Sequence, residues 1–236
     1  TAFNLLTNKD DYKFNVLLAP GVTLTGAAAS TMISTVEGRG DAIAIIDNDT
    51  WGKPVITAAN NAAGQSSNYA ATYWPWVQLF SPNLGKAVWS PASTVIPGVY
   101  AFNDKIAAPW FAPAGIYRGG LSTVLSAEQL LNQANKDILY SNNINPLATL
   151  PKNGVVVFGQ KTLQKEASAL DRVNVRRLLL ELKTYIRQIA DTILFEQNTI
   201  STRNSFLAKV TPYLENIQQK QGLYAFKVVM DESNNG

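Results

Sequence analysis

Residues Ala42-Ile43-Ala44-Ile45-Ile46 form an unbroken apolar run. A strand of that kind has both faces buried, which is the situation in a parallel sheet covered by helices on each side. The preceding sequence supplies the rest of the unit. Phe14-Asn15-Val16-Leu17-Leu18-Ala19 reads as a buried strand ended by Pro20-Gly21, and Thr25 is placed to cap a predicted helix running to Glu37, with Gly38 as its stop signal. Strand, helix and strand in that order make a βαβ unit, so the expected class is α/β.

Further along, residues 73–80 read as a predicted strand with apolar residues on both faces and Pro75 at an edge or bulge, and residues 86–90 form a short partner. Residues 91–104 read as a helix with proline in its first turn, and residues 126–140 as a second, capped by Ser126 with Gln129 three positions on. Asn142-Asn143-Ile144-Asn145-Pro146 is rich in turn formers, which places a domain boundary at 145–153 and divides the chain into 1–145 and 146–236. The second part opens with a predicted strand over 155–158. A long helix follows from about Asp171, with Val175, Leu178, Leu179, Leu182, Ile186, Ile189 and Ile193 on one stripe. Residues 199–219 are helical with an interruption expected at Pro212, and Gly222 releases the chain into a strand over 223–230.

Composition narrows the chemistry. The chain of 236 residues has 46% hydrophobic and 16% charged residues, so it has apolar surface enough for a core and less charge than the roughly 25% usual in soluble domains. It has neither Cys nor His, which removes disulfides, thiolate nucleophiles, imidazole metal ligands and the Ser-His-Asp triad. The start lacks the basic-then-apolar order of a signal peptide, and no apolar run approaches the roughly 18 residues of a membrane span. The net charge of +3 is not enough by itself to indicate nucleic acid. It is unevenly spread: residues 1–150 carry 8 basic and 9 acidic side chains, net −1, and residues 151–236 carry 12 and 8, net +4.

Four short motifs imitate functional sites and fail on context. Gly154-Val-Val-Val-Phe-Gly159-Gln160-Lys161-Thr162 nearly matches a phosphate-binding loop, but Gln160 separates glycine from lysine and residues 155–158 are strand formers whose N–H groups belong to a ladder. Asp47-Asn48-Asp49-Thr50-Trp51-Gly52 lacks the glutamate a calcium loop requires and reads as a polar turn after a strand. Arg39-Gly40-Asp41 is explained by a helix stop. Trp74, Trp76 and Phe80, with Trp89 and Trp110, have no carboxylate pair spaced for glycoside chemistry and read as core or subunit contacts. No catalytic residue, cofactor site or metal site is therefore assigned.

One charge pattern remains. On a helix, Arg172, Arg176, Lys183 and Arg187 fall within roughly 60° of one another, away from the apolar stripe. The plain reading is a solvated face; the alternative is a basic ridge that binds through many copies at once.

From Ile144-Asn145-Pro146, through Gly154-Val-Val-Val-Phe-Gly-Gln-Lys-Thr-Leu163, to Asp171-Arg-Val-Asn-Val-Arg-Arg-Leu178, the sequence resembles the tail sheath proteins of contractile-tailed phages. Phe195-Glu196, Thr202-Arg203 and Val228-Val229-Met230-Asp231 continue the resemblance, and Tyr73-Trp74-Pro75-Trp76, Trp89-Ser90-Pro91-Ala92, Pro97-Gly98-Val99-Tyr100 and Ala112-Pro113-Ala114-Gly115 extend it upstream.

The resemblance implies a subtilisin-like parallel-sheet α/β domain without its chemistry, followed by a smaller α+β C-terminal domain close to the inner tube. It implies a structural, non-enzymatic subunit that polymerises as stacked rings around the tail tube and contracts to drive the tube through the host envelope. Expected partners are neighbouring sheath subunits joined by strands exchanged through terminal arms, the inner tail tube, the baseplate and the tail terminator. Nucleic acid and membrane insertion are not expected. Arg172, Arg176, Lys183 and Arg187 become the expected tube contacts. The family pattern also makes this chain a core lacking both arms, expected to be monomeric, in a virion tail assembled in the host cytoplasm. Sheaths of phage-like injection particles or secretion systems share the pattern, and a nucleotide-binding α/β enzyme is the rival from another class.

Overall fold

The apolar run at 42–46 lies in the second of five strands of one sheet in a computed structural model, which describes residues 2–234. In chain order the elements begin with α1 (Ala2–Leu5), β1 (Val16–Thr23), α2 (Ala27–Arg39), β2 (Ile43–Asp47), α3 (Val55–Ala63) and β3 (Ala70–Trp74). Next come β4 (Val77–Ser81), β5 (Lys86–Ser90), a 3-10 turn (Ala92–Thr94), α4 (Ile96–Ile106), α5 (Gly115–Arg118), β6 (Val124–Ala127) and α6 (Gln133–Ser141). The chain continues through β7 (Ile144–Leu150), β8 (Gly154–Val157), a second 3-10 turn (Ala169–Asp171), α7 (Val173–Asp191) and α8 (Ile200–Gln219).

The main sheet has the order β1-β2-β3-β7-β8. Its first four strands run parallel and β8 is antiparallel to β7. Every residue of β2 and β3 is buried, as the two-faced apolar pattern requires. The class is α/β, as expected. Helix α2 runs through the expected stop at Gly38 and ends two residues later than predicted, at Arg39, because Gly40 adopts the left-handed conformation (φ 67°) that terminates it; its N-cap is Gly26, not Thr25.

Several segments depart from the sequence reading, each because a distant strand supplies what local pattern does not show. Residues 73–80 are two strands: the chain leaves the main sheet at Trp74-Pro75, a cis peptide bond, and β4 joins a second sheet of order β5-β4-β6. The expected helix over 126–140 is split. Residues 124–127 are drawn into β6 by pairing with β4, and α6 starts later, with the Asn132 side chain accepting from the Asn135 N–H at 2.8 Å. The turn reading holds for Asn143, with φ 61°, but Ile144 to Leu150 is a strand between β3 and β8. Asn145 locks it there: its side chain donates to the Thr72 and Lys161 carbonyls at 3.0 and 2.8 Å and accepts from the Lys161 N–H at 2.6 Å.

The expected division at 145–153 therefore falls inside the main sheet. The chain forms two compact units, residues 1–177 and 178–236. Within the second, α8 buries Phe206, Val210, Leu214 and Ile217 at helical spacing and runs through Pro212 without a break, contrary to the expected interruption. Tyr185 of α7 stacks on Tyr213 of α8 with ring centroids 3.6 Å apart. Burial pushes the Tyr213 hydroxyl up to about 12, with Glu181 adding to the effect. Residues 223–230, predicted as a strand, form no strand pairing among the described residues, since a ladder needs a neighbour.

Candidate functional site

Open α/β sheets place ligands beyond the carboxyl ends of their strands, where strand order reverses. Across β1, β2, β3 and β7 the order never reverses, and the 3-10 turn Ala92–Thr94 packs on β1, β2 and β3. Asp47, the last residue of β2, ties this turn down. Its carboxylate accepts from the Ser93 N–H and hydroxyl at 2.9 and 2.8 Å and from the Gly21 N–H at 2.9 Å. The place an enzyme of this class uses for its substrate is thus filled by the protein's own backbone.

The motif imitations resolve in the same direction. Residues 154–157 pair with β7 along their length, so their amides are not gathered for a phosphate. Arg39 is buried: it pairs with Asp41 at 2.9 Å, donates to the carbonyls of Leu6 and Tyr12 at 2.6 and 2.8 Å, and lies 4.1 Å from the Phe14 ring centroid. It clamps the N-terminal segment. Trp74 is a core residue, and Trp76 donates its indole N–H to the Asp49 carbonyl at 2.8 Å. Among the described residues no group of three or more acidic side chains could hold a metal ion, and no helix is long and apolar enough to cross a membrane.

The basic helix is assembled differently from its helical-wheel projection. Ser168 caps the 3-10 turn before it by accepting from the Leu170 N–H at 3.1 Å. Arg172 pairs with Asp171 at 3.0 Å and donates to the Tyr140 hydroxyl. Arg176, expected on the exposed ridge, is only 3% exposed. Its guanidinium donates to the Asn68 carbonyl at 3.0 Å and to the Asn68 side-chain oxygen, and stacks 3.9 Å from the Tyr69 ring centroid. Burial lowers its pKa, with Tyr69 opposing the shift.

The cause of this departure is visible in the first two turns of α7, where Val173, Arg176, Arg177, Leu178 and Leu180 are all buried. None of residues 173–180 is exposed, so this stretch offers no open solvent face for a charge pattern to mark. Lys183 and Arg187, in the second unit, are exposed. The four basic residues thus do not share one environment: Arg172 is half-buried, Arg176 buried, and the other two open to solvent.

Sequence reasoning passed over Arg177. It is buried, pairs with Asp104 at 2.5 Å and lies 4.5 Å from the Tyr100 ring centroid. Tyr100 in turn shares a 2.7 Å hydrogen bond with Tyr73 of β3, and burial drives the Tyr100 hydroxyl up to about 12. The only sequence signal was the doubled arginine, because Asp104 and Tyr100 lie more than seventy positions away.

Residues 165–236 match the phage tail sheath C-terminal domain family. The chain is 35% identical over 216 residues to the tail sheath protein of Vibrio phage KVP40, covering 92% of this chain and 31% of that protein. It is 37% identical over 185 residues to the tail sheath protein of Enterobacteria phage T4, covering 78% of this chain and 28% of that protein. Its fold is similar to a chain in the contracted sheath complex of an extracellular contractile injection system, PVC, with a TM-score of 0.75, 24% identity, and coverage of 92% of this chain and 58% of the other. The chain spans about a third of the length of these two phage proteins. With tail sheath sequence along nearly its whole length and a sheath fold beneath it, the chain belongs to the tail sheath family.

Proposed function

We propose that this chain is a structural part of a contractile phage tail sheath subunit, which polymerises around the inner tail tube and contracts to drive it through the host envelope. The observation that carries the reading is the 35% identity to a phage tail sheath protein over 92% of the chain. The occupied carboxyl end of the main sheet supports a structural rather than enzymatic role, since Asp47 and Ser93 hold the turn that fills it.

In this reading the α/β unit moves as a rigid body while side-chain contacts between neighbouring subunits break and reform. Subunits are linked by strands exchanged through arms flanking this region. Residues 225–230 support that linkage, because they alternate in exposure without a ladder partner among the described residues. The C-terminal part of the chain lies nearer the tube, with Lys183 and Arg187 as the accessible basic contacts. Arg172 and Arg176 act mainly inside the fold. The baseplate and tail terminator are the partners at the sheath ends, and the product is a virion tail assembled in the host cytoplasm. The fold similarity to an injection-system sheath favours a second reading, the same mechanical role in a phage-like injection particle.

Electron microscopy tests the proposal with this chain and with a version extended at both ends to the length of its relatives, each with and without tube protein. Ringed tubules formed by the extended version alone, and more readily on the tube, are the expected result. Absence of ordered polymer from both overturns the sheath reading, and long polymers from this chain alone overturn the arm linkage.

A further inference from the structure

Lys161 and Arg172 oppose each other across an isolated antiparallel bridge. Like charges in directly opposite positions repel. Their charged ends nonetheless converge on one aromatic ring, 4.4 and 5.8 Å from the Tyr140 centroid. Burial lowers the Lys161 pKa, Arg172 lowers it further, and Asp171 opposes the shift. Tyr140 lines a cleft of about 480 Å3 together with Arg172, Lys136 and Phe158, and the Lys136 ammonium lies 4.9 Å from the Phe158 centroid. Phe158 is 44% exposed, so its ring is open to a further contact.

Two carboxylates share this surface. Asp137 lines the cleft and accepts from the Gln133 side chain at 2.8 Å, and Asp171 pairs with Arg172 at 3.0 Å. Three cations against two anions leave a net positive charge beside two aromatic faces. A single surplus charge does not fit a nucleic-acid track, which needs many phosphate contacts. An isolated phosphate would use the charges and leave the rings unused.

We propose that this cleft docks a carboxylate-bearing peptide segment of a protein partner, its carboxylate set among Lys136, Lys161 and Arg172 and its apolar part against Tyr140 and Phe158. Charge complementarity selects the occupant: Asp171 alone offsets the repulsion between Lys161 and Arg172, and a second carboxylate beside them adds a further favourable pair. The aromatic lining favours an occupant with hydrocarbon next to its charge, as a glutamate side chain has. The inference goes beyond the sheath reading and does not depend on it.

Calorimetric titration of the full chain at low salt, with a blocked pentaglutamate peptide, a blocked pentalysine peptide and inorganic phosphate, tests it. Pentaglutamate is expected to bind, to weaken as salt is raised, and to bind about tenfold more weakly to the Lys136→Ala/Lys161→Ala variant. Pentalysine is expected not to bind, and phosphate not to compete. An NMR titration of the unaltered chain locates the site even if the variant fails to fold, with the shifts expected at Tyr140 and Phe158. No binding of pentaglutamate, equal binding to a folded variant, shifts confined to other residues, or phosphate binding as tightly as the peptide would each overturn the proposal.

Discussion

Asp47 is buried at the end of β2 with three hydrogen bonds to its carboxylate. Desolvation nevertheless raises its pKa from 3.8, and the bonds from Ser93 and Gly21 offset only part of the rise. A carboxyl raised in the folded state adds stability that is fully present below its unfolded value and is lost as pH climbs through the folded one. Asp47→Asn has no titrating group at this position. The stability difference between wild type and Asp47→Asn is therefore expected to move against the wild type as pH rises from 3.8 into the window above, measured by urea unfolding at a series of acidic pH values. Arg176 makes a different case, because its charge is held by Asn68 and the Tyr69 ring. Arg176→Ala strips two acceptors of their donor in a buried site, with an expected loss of about 3 kcal/mol in denaturant unfolding. Arg176→Lys should recover only part of it, since an ammonium cannot reproduce the guanidinium's fork or its stacking.

At the scale of elements, periodicity was a good guide where the partner face was uniform. The buried strand β2, the end of α2 to within two residues and the stripe residues Leu178, Leu182 and Ile189 of α7, all buried, were legible, because burial on a helix or strand face repeats every few residues. Helix α3 went unread: its buried face is Ala58, Ala59 and Ala62, and alanine marks a face too faintly to stand out. Strand β7 was hidden by Asn145 and Pro146, turn formers by composition, which here serve as a clamp and as the residue opposite Trp74, the last of β3. Pro212 is the converse, a breaker inside an intact helix. It has no N–H for the fourth-preceding carbonyl and its ring crowds that turn. Pro212→Ala is accordingly expected to stabilise the chain by about 1 to 3 kcal/mol, read from the midpoint of thermal or urea unfolding.

For the whole molecule, the consequence of the basic helix depends on which of its charges reach solvent. Charge reversal at Lys183 and Arg187 is expected to weaken assembly on the tube while leaving the unfolding midpoint close to wild type, because both residues are exposed. Sedimentation of sheath with tube protein measures the first quantity and circular dichroism the second. Charge reversal at Arg176 should instead unfold the first unit, which would mark it as a residue of the fold. Assembly unchanged by the Lys183 and Arg187 reversals would remove them from the tube surface.

The sequence by itself determined the α/β class, the absence of His and Cys chemistry and the kinship with sheath proteins, because residue types and short-range periodicity are local properties. Tertiary structure alone decided that residues 124–127 and 144–150 are strands, that Arg176 and Arg177 are buried, and that Asp47 anchors the turn over the carboxyl end of the sheet. Each of those outcomes rests on a partner far along the chain: β4 for β6, β3 for β7, Asn68 for Arg176, Asp104 for Arg177 and Ser93 for Asp47. Hydrogen bonds and burial are satisfied in space, and a residue's own neighbours in sequence carry no record of which distant group will satisfy them.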